Sequence, residues 1–363
     1  MSGITKQPTY DPAKTYDDNF DLGPFGAFAK PEVYQNQGEP KYSFLGYPIY
    51  SPFGIPAGPL LNSKYVIAAL QSGFDVVCYK TQRSVKFDCN AFPNVLYVDV
   101  EGDLTLEKAA RPLVGKQSTT ADATNLTITN SFGNPSRGPE FWVDDLRKAV
   151  DHQGKGQLVI MSVVGTVKPG FTDDDYYDDF AATAKLAVEA GVGAIEVNLS
   201  CPNVANEGVL CYTPSAVKAI CKKVKAAIGN VPLVAKVGYF SADQQELLET
   251  VVKSMTPNVA AVSAINTIAA PVVDDKGEQA LPGPNRLKSG MCGASIKWAG
   301  LDMVKRLSAL RDKLGLSYEI IGVGGVMDTS DFNDYRSAGA DVVQSATGSM
   351  WNPELAAQIK ESL

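Results

Sequence analysis

Histidine is almost absent from this chain: His152 is the only one in 363 residues, which excludes a multi-histidine metal centre. Cysteine is sparse and unpaired. Six thiols (Cys78, Cys89, Cys201, Cys211, Cys221 and Cys292) fall without C-x-x-C spacing, so the sequence predicts neither a metal site nor a disulfide framework, and a reducing cytoplasm fits best. No window approaches the roughly eighteen consecutive apolar residues of a membrane span, and the amino terminus has no apolar core of a secretion signal. Positive charge is also in deficit. With 33 Lys and Arg against 40 Asp and Glu, the net charge of -7 argues against a nucleic-acid or anionic-membrane partner.

What is present is an ordinary globular composition, 45% hydrophobic and 20% charged, with 32 glycines and 22 prolines that suit many tight connections. The first stretch is rich in Pro, Tyr, Asp and Gly without a sustained period. It reads as an irregular N-terminal extension, residues 1–46, lying on one barrel domain of residues 47–363. Short apolar runs then recur at 49–57, 76–80, 158–163, 194–198, 233–236, 260–264, 320–323 and 342–345. Helix-like stretches lie between them at 174–190, 214–228, 242–254, 299–314, 329–338 and 353–363. Strands alternating with helices imply parallel crossovers, and eight units suggest closure into a (β/α)₈ TIM barrel of the α/β class. A doubly wound open sheet is the structural alternative. Two long excursions, 84–142 and 266–297, are expected to be loops over the active site.

In such a barrel the active site lies at the carboxyl ends of the strands. The second run ends in Lys80-Thr81, the fourth in Asn198-Leu199-Ser200-Cys201-Pro202-Asn203, the fifth in Lys236 and the sixth in Asn266-Thr267. The last two end in Gly324-Gly325 and Ala346-Thr347-Gly348, and glycine loops after the final two strands suit a phosphate through their backbone N–H groups. Neutral amides at Asn130, Asn198, Asn203 and Asn266 suit a planar ligand carrying both donors and acceptors. Lys80 and Lys236 each follow a buried run, so their ammonium groups want an anionic partner, either an internal carboxylate or the negative charge that a flavin ring develops on reduction.

These segments, together with Asn130-Ser131-Phe132-Gly133-Asn134-Pro135, resemble the dihydroorotate dehydrogenase family in the right order over about residues 47–355. More distantly they resemble the pyrimidine-reducing domain of dihydropyrimidine dehydrogenase. The resemblance implies an FMN enzyme that oxidises (S)-dihydroorotate to orotate in pyrimidine biosynthesis. In it Cys201 removes the C5 proton while hydride passes from C6 to flavin N5. It assigns Lys80, Asn130, Phe132, Gly133, Asn134, Asn198, Asn203, Asn266 and Thr267 to the substrate. The FMN set it implies is Ala57, Gly58, Lys80, Thr81, Asn130, Asn198, Lys236, Ala264, Gly293, Gly324, Gly325, Ala346 and Thr347.

A free thiol has a pKa of about 8.5, so a cysteine base makes the rate climb with pH until the thiolate forms. Cys211, on the same connection, is the rival base. Within the family a cysteine base marks the soluble class, which divides into homodimers using fumarate and heterotetramers passing electrons to an iron–sulfur subunit. A cytosolic homodimer with fumarate as acceptor is the expectation. The chain departs from the family pattern in an extra segment near 102–125, in Cys292 where the flavin loop usually has glycine, and in Asn266-Thr267, which is closer to the dihydropyrimidine dehydrogenase form. The remaining alternatives are an FMN oxidoreductase acting on another dihydropyrimidine such as dihydrouracil, and a flavin- or phosphate-binding barrel without redox activity.

Overall fold

The computed structural model describes residues 7–200 and 210–363. Eight strands, β1 Phe53–Ile55, β2 Val76–Gln82, β3 Leu158–Val163, β4 Ala194–Asn198, β5 Leu233–Val237, β6 Ala261–Ala264, β7 Glu319–Val323 and β8 Val342–Gln344, pair in parallel with their neighbours. The ring closes where β8 pairs with β1, Val343 opposite Phe53, so the sheet is a barrel and not an open doubly wound sheet.

The longer helices that follow the strands or the excursions are, among the described residues, α1 Ser63–Gln71, α2 Pro139–Asp151, α3 Asp173–Glu189, α4 Pro214–Ile228, α5 Gln245–Met255, α6 Lys297–Leu314, α7 Thr329–Ser337 and α8 Leu355–Glu361. Local chemistry sets their starts. Thr172 and Asp175 form a capping box at α3, Asp328 and Asp331 another at α7, and Pro139 and Pro214 occupy first turns, where the missing N–H is no loss. α1 was not anticipated from periodicity, because Tyr65, Val66, Ala68, Ala69 and Leu70 are all buried and leave little polar face.

Alternation along the strands divides the core in two. One set, including Val77, Tyr79, Val159, Met161, Ile195, Val197, Val262 and Ala264, packs outward with the helices. The other, including Val76, Cys78, Leu158, Ile160, Ala194, Val234 and Val342, fills the barrel. The run expected as one strand over 49–57 is split. Tyr47–Ile49 pairs instead with Tyr42–Phe44 through Leu45 and Gly46, both at positive φ, in a two-residue hairpin turn. Phe44 and Ile49, fully buried, plug the amino end of the barrel.

The two excursions are ordered with each other. Tyr97–Val98, Leu113–Lys116, Thr127–Asn130, Ile268–Val273 and Lys288–Gly293 make a closed five-stranded sheet. The extra segment near 102–125 supplies the closing strand, with Leu113 and Val114 paired to Val272 and Val273. Its Leu104 is fully buried, and the Leu104 carbonyl accepts from Trp298 Nε1 at 3.1 Å. The N-terminal extension is mostly irregular but contains a helix at Tyr16–Leu22, and Tyr10, Tyr16, Phe20 and Phe28 enter the main core. Among the described residues no helix is long and apolar enough to cross a membrane.

Candidate active site

Polarity rises along the barrel interior. Above the Phe44 and Ile49 plug come aliphatic side chains, then Cys78, Ser162, Glu196 and Ser263, and last Lys80, Asn198 and Lys236 at the carboxyl end. The alternation that places Val234 inside also places Lys236 inside, and Glu196 and Asn198 share a face for the same reason. Lys80 and Lys236 are each 4% exposed. Lys236 donates to the Ala57 carbonyl at 3.4 Å and forms no ion pair among the described residues, so its charge is not consumed by an internal salt bridge.

Glu196, absent from the sequence-based site, lies in the interior one step below Asn198 and within electrostatic reach of Lys236. Burial raises its pKa; Lys236 and a Ser162 hydrogen bond pull it back only in part. No strand-end signal marked it, because its position is mid-strand.

The Asn-Leu-Ser turn after β4 is braced by amides. Asn198 Oδ1 accepts from the backbone N–H and hydroxyl of Ser200 at 3.2 and 3.3 Å, and Asn266 Nδ2 donates to the Ser200 carbonyl at 3.0 Å. Cys201 and Asn203 lie outside the described residues. Cys211 is fully buried and does not line the cavity. Its Sγ accepts from the Gly238 N–H at 3.4 Å, and burial pushes its thiol up to about 12. That environment disfavours it as a rival base.

The segment carrying Asn130 to Asn134 is clamped from behind by two arginines. Arg83 donates to the carbonyls of Asn134 at 2.9 Å and Gly133 at 3.4 Å, while the Asn90 N–H takes the Phe132 carbonyl at 3.0 Å. With these carbonyls bonded on the outer side, the same residues can offer N–H groups to the cavity. Arg286, from the second excursion, donates to Ser131 Oγ at 3.0 Å, the Ser131 carbonyl at 3.1 Å and the carbonyls of Ala91, Pro93 and Pro282. Both arginines sit in irregular chain, where periodicity carries no signal.

The two glycine loops are fastened together. Ser345 Oγ donates to the Val326 carbonyl at 2.6 Å, and a Cβ on Gly348 would stand 2.3 Å from that same oxygen. Gly324 and Gly325 take φ of +128° and +67°, and a Cβ on Gly325 would meet the Lys297 backbone nitrogen at 2.7 Å. Tyr335 Oη holds the Gly324 carbonyl at 2.6 Å. Helix dipoles contribute little here. α7 begins beyond the loop and is already capped by Asp328, and the helix after β8 is only Thr347–Trp351. The anion-binding capacity is therefore in the loop N–H groups.

All of this converges on one cavity of about 1160 Å³, including its open mouth. Among the sequence-predicted site residues, Ala57, Gly58, Lys80, Thr81, Asn130, Phe132, Gly133, Asn134, Asn198, Lys236, Asn266, Thr267, Gly293, Gly324, Gly325, Ala346 and Thr347 line it. Ala264 does not: it belongs to the outward-facing set of β6. Cys292 does line the wall, hydrogen-bonded to the Asn130 side chain, with burial pushing its thiol up to about 12. Tyr10, from the N-terminal extension, was not anticipated there.

Comparison with known proteins decides the family. The family model described as "Dihydroorotate dehydrogenase" matches residues 108–363. A Dictyostelium discoideum protein named "Dihydroorotate dehydrogenase" is 38% identical over 98% of this chain and 97% of its own. The chain belongs to the dihydroorotate dehydrogenase family. More distant members include "Dihydroorotate dehydrogenase B (NAD(+)), catalytic subunit" of Petrotoga mobilis, 26% identical over 65% of this chain and 72% of that one. Another is "Dihydroorotate dehydrogenase A (fumarate)" of Lactobacillus delbrueckii subsp. bulgaricus, 29% identical over 65% and 71%. In the Dictyostelium family member the likeness extends across nearly the whole length, so the N-terminal extension and the extra sheet strand fall largely within it.

Proposed function

We propose that this chain oxidises (S)-dihydroorotate to orotate with FMN as its cofactor and Cys201 as the base. The observation that supports this best is the single cavity where amides, two lysines and two fastened glycine loops meet. The cavity suits FMN on its own terms. Gly324 and Gly325 line the cavity with backbone that carries no side chain, and Lys236 stands at the floor in no salt bridge among the described residues, with the Glu196 carboxylate within electrostatic reach. Ala57, Gly58, Thr81, Lys236, Gly293, Gly324, Gly325, Ala346 and Thr347 would hold it.

When bound, FMN supplies the acceptor for the hydride leaving C6 of the substrate. The chain's own residues do the rest. Asn130, Asn198, Asn203, Asn266 and Thr267 fix the ring through donors and acceptors that match its carbonyls and N–H groups. The Phe132-Gly133-Asn134 backbone, held from behind by Arg83 and Asn90, receives the carboxylate. Cys201 Sγ, as thiolate, takes the proton from C5. Lys80 and Lys236 supply fixed positive charge at the strand tips, where a low-dielectric setting strengthens it.

Fumarate is the proposed electron acceptor, a homodimer the proposed assembly, and the cytoplasm the proposed location. The fumarate-named relative supports the first. Free thiols at Cys78, Cys89, Cys211, Cys221 and Cys292 support a reducing compartment.

The test is to purify the protein, identify the extracted cofactor by mass, and compare dihydroorotate with dihydrouracil as reductants. The reading expects FMN and turnover with dihydroorotate. Turnover with dihydrouracil alone would replace it with the second pyrimidine. Reoxidation by fumarate, quinone and NAD⁺ in parallel then decides the acceptor, and sedimentation decides the assembly.

A further inference from the structure

The barrel interior beneath the cavity holds a carboxylate to which the mechanism above gives no task. Glu196 is 1% exposed, and its Oε1 has no hydrogen-bond partner among the described residues. A buried carboxylate with an unbonded oxygen costs stability, because the charge has left water without full compensation. Packing therefore gives no reason for an acid at this height. A buried titratable group next to a cavity is instead a mark of function.

Barrel register fixes what surrounds it. Glu196 on β4 pairs with Ser162 on β3, and two residues further along β4 Asn198 pairs with Lys236 on β5. The carboxylate thus lies one layer beneath Lys236, which lines the cavity. The two form no salt bridge but lie within electrostatic reach. The Cys78 thiol on β2, pushed up first by burial, is pushed further by Glu196 and pulled back by Lys236, so all three share one patch. Ser162 donates to the carboxylate, and Thr81, in the cavity wall, donates to Ser162 Oγ at 3.0 Å. That row of hydroxyls favours the ionised form of Glu196.

We propose that Glu196 is a positioning residue for the flavin reaction: a buried counter-charge beneath Lys236 that tempers the ammonium field and keeps the flavin's reduction potential low enough for electrons to pass on to the acceptor. Lys236 alone stabilises the negative charge of a reduced flavin. A carboxylate behind it takes part of that stabilisation away, because Coulomb interactions in a low-dielectric interior extend over several ångströms. The inference rests on the FMN reading given above.

The test compares purified, FMN-loaded wild type, Glu196→Gln and Glu196→Asp, with the flavin potential measured by anaerobic equilibration against a reference dye. Glu196→Gln is expected to shift the two-electron equilibrium toward reduced flavin by about tenfold, a rise of about 30 mV. Glu196→Asp keeps the charge and is expected to stay within about twofold of the wild-type equilibrium, a rescue that a purely steric role does not give. A Glu196→Gln potential equal to or below the wild type would overturn the proposal, as would an equal rise in Glu196→Asp. If Glu196→Gln fails to fold, Glu196→Met, apolar and of similar volume, carries the same expectation and the same refutation. A wild-type protein that retains no flavin would instead remove the underlying reading.

Discussion

Asn198 and Lys236 stand directly opposite each other on the neighbouring parallel strands β4 and β5, so an amide and an ammonium group reach the cavity floor at the same height. The pairing follows from barrel register, and it joins the proposed substrate role of Asn198 to the proposed cofactor role of Lys236 across one strand boundary. Lys236→Met keeps the aliphatic stem and removes the charge. Flavin reduction by dihydroorotate should slow by about 10²- to 10³-fold, the scale for losing one preorganised charge stabiliser, as read by anaerobic stopped-flow absorbance. A rate within twofold of wild type, about 0.4 kcal/mol, would remove Lys236 from the chemistry.

Gly325 tests the glycine loops separately. Its φ of +67° and the 2.7 Å approach of a Cβ to the Lys297 backbone nitrogen leave no room for a side chain. Gly325→Ala should shift the loop and lower FMN affinity by about tenfold or more, given the roughly 1–3 kcal/mol scale of such strain. The measurement is cofactor retention on gel filtration, with circular dichroism as the control for folding.

The two cysteines of the β4–α4 connection should separate cleanly. Cys201→Ser is expected to lower the reduction rate by about 10²-fold or more and to abolish its rise toward a thiol pKa. Cys211→Ala should leave the pH profile unchanged, because that thiol, buried and pushed up to about 12, stays protonated at working pH. A Cys211→Ala profile that lost its rise would transfer the base role.

Glu196 predicts a dependence of stability on pH. Burial raises its folded pKa above the unfolded value, so the folded state binds the extra proton between the two. This group's contribution to stability is present below the ordinary carboxylate range and declines as pH rises through the folded pKa. Glu196→Gln removes the decline, so its Tm relative to wild type should rise with pH above that range. A constant difference across pH, by differential scanning calorimetry, would contradict this.

The barrel was legible because its strands are apolar on both faces and end in polar residues, so Lys80, Asn198, Lys236 and Asn266 could be placed from sequence alone. The small sheet was not. Strands such as Leu113–Lys116 and Lys288–Gly293 are short and interrupted by glycine, and Gly115 packs so closely that a Cβ would meet Leu96 Cδ1 at 2.8 Å. The arginine clamps and Tyr10 were hidden for a related reason: their places arise from contacts between segments far apart in sequence. Ala264, which the family resemblance put in the FMN set, alternates with the inward Ser263 and packs outward with the helices.

The most direct test of the account is a single turnover. Purified enzyme in its oxidised, flavin-loaded form is mixed with (S)-dihydroorotate in the absence of oxygen, and flavin absorbance and orotate are followed together. The account predicts loss of the oxidised flavin absorbance with formation of one orotate per flavin. Flavin that stays oxidised with dihydroorotate, and is reduced only by a pyrimidine without a carboxylate, would contradict it.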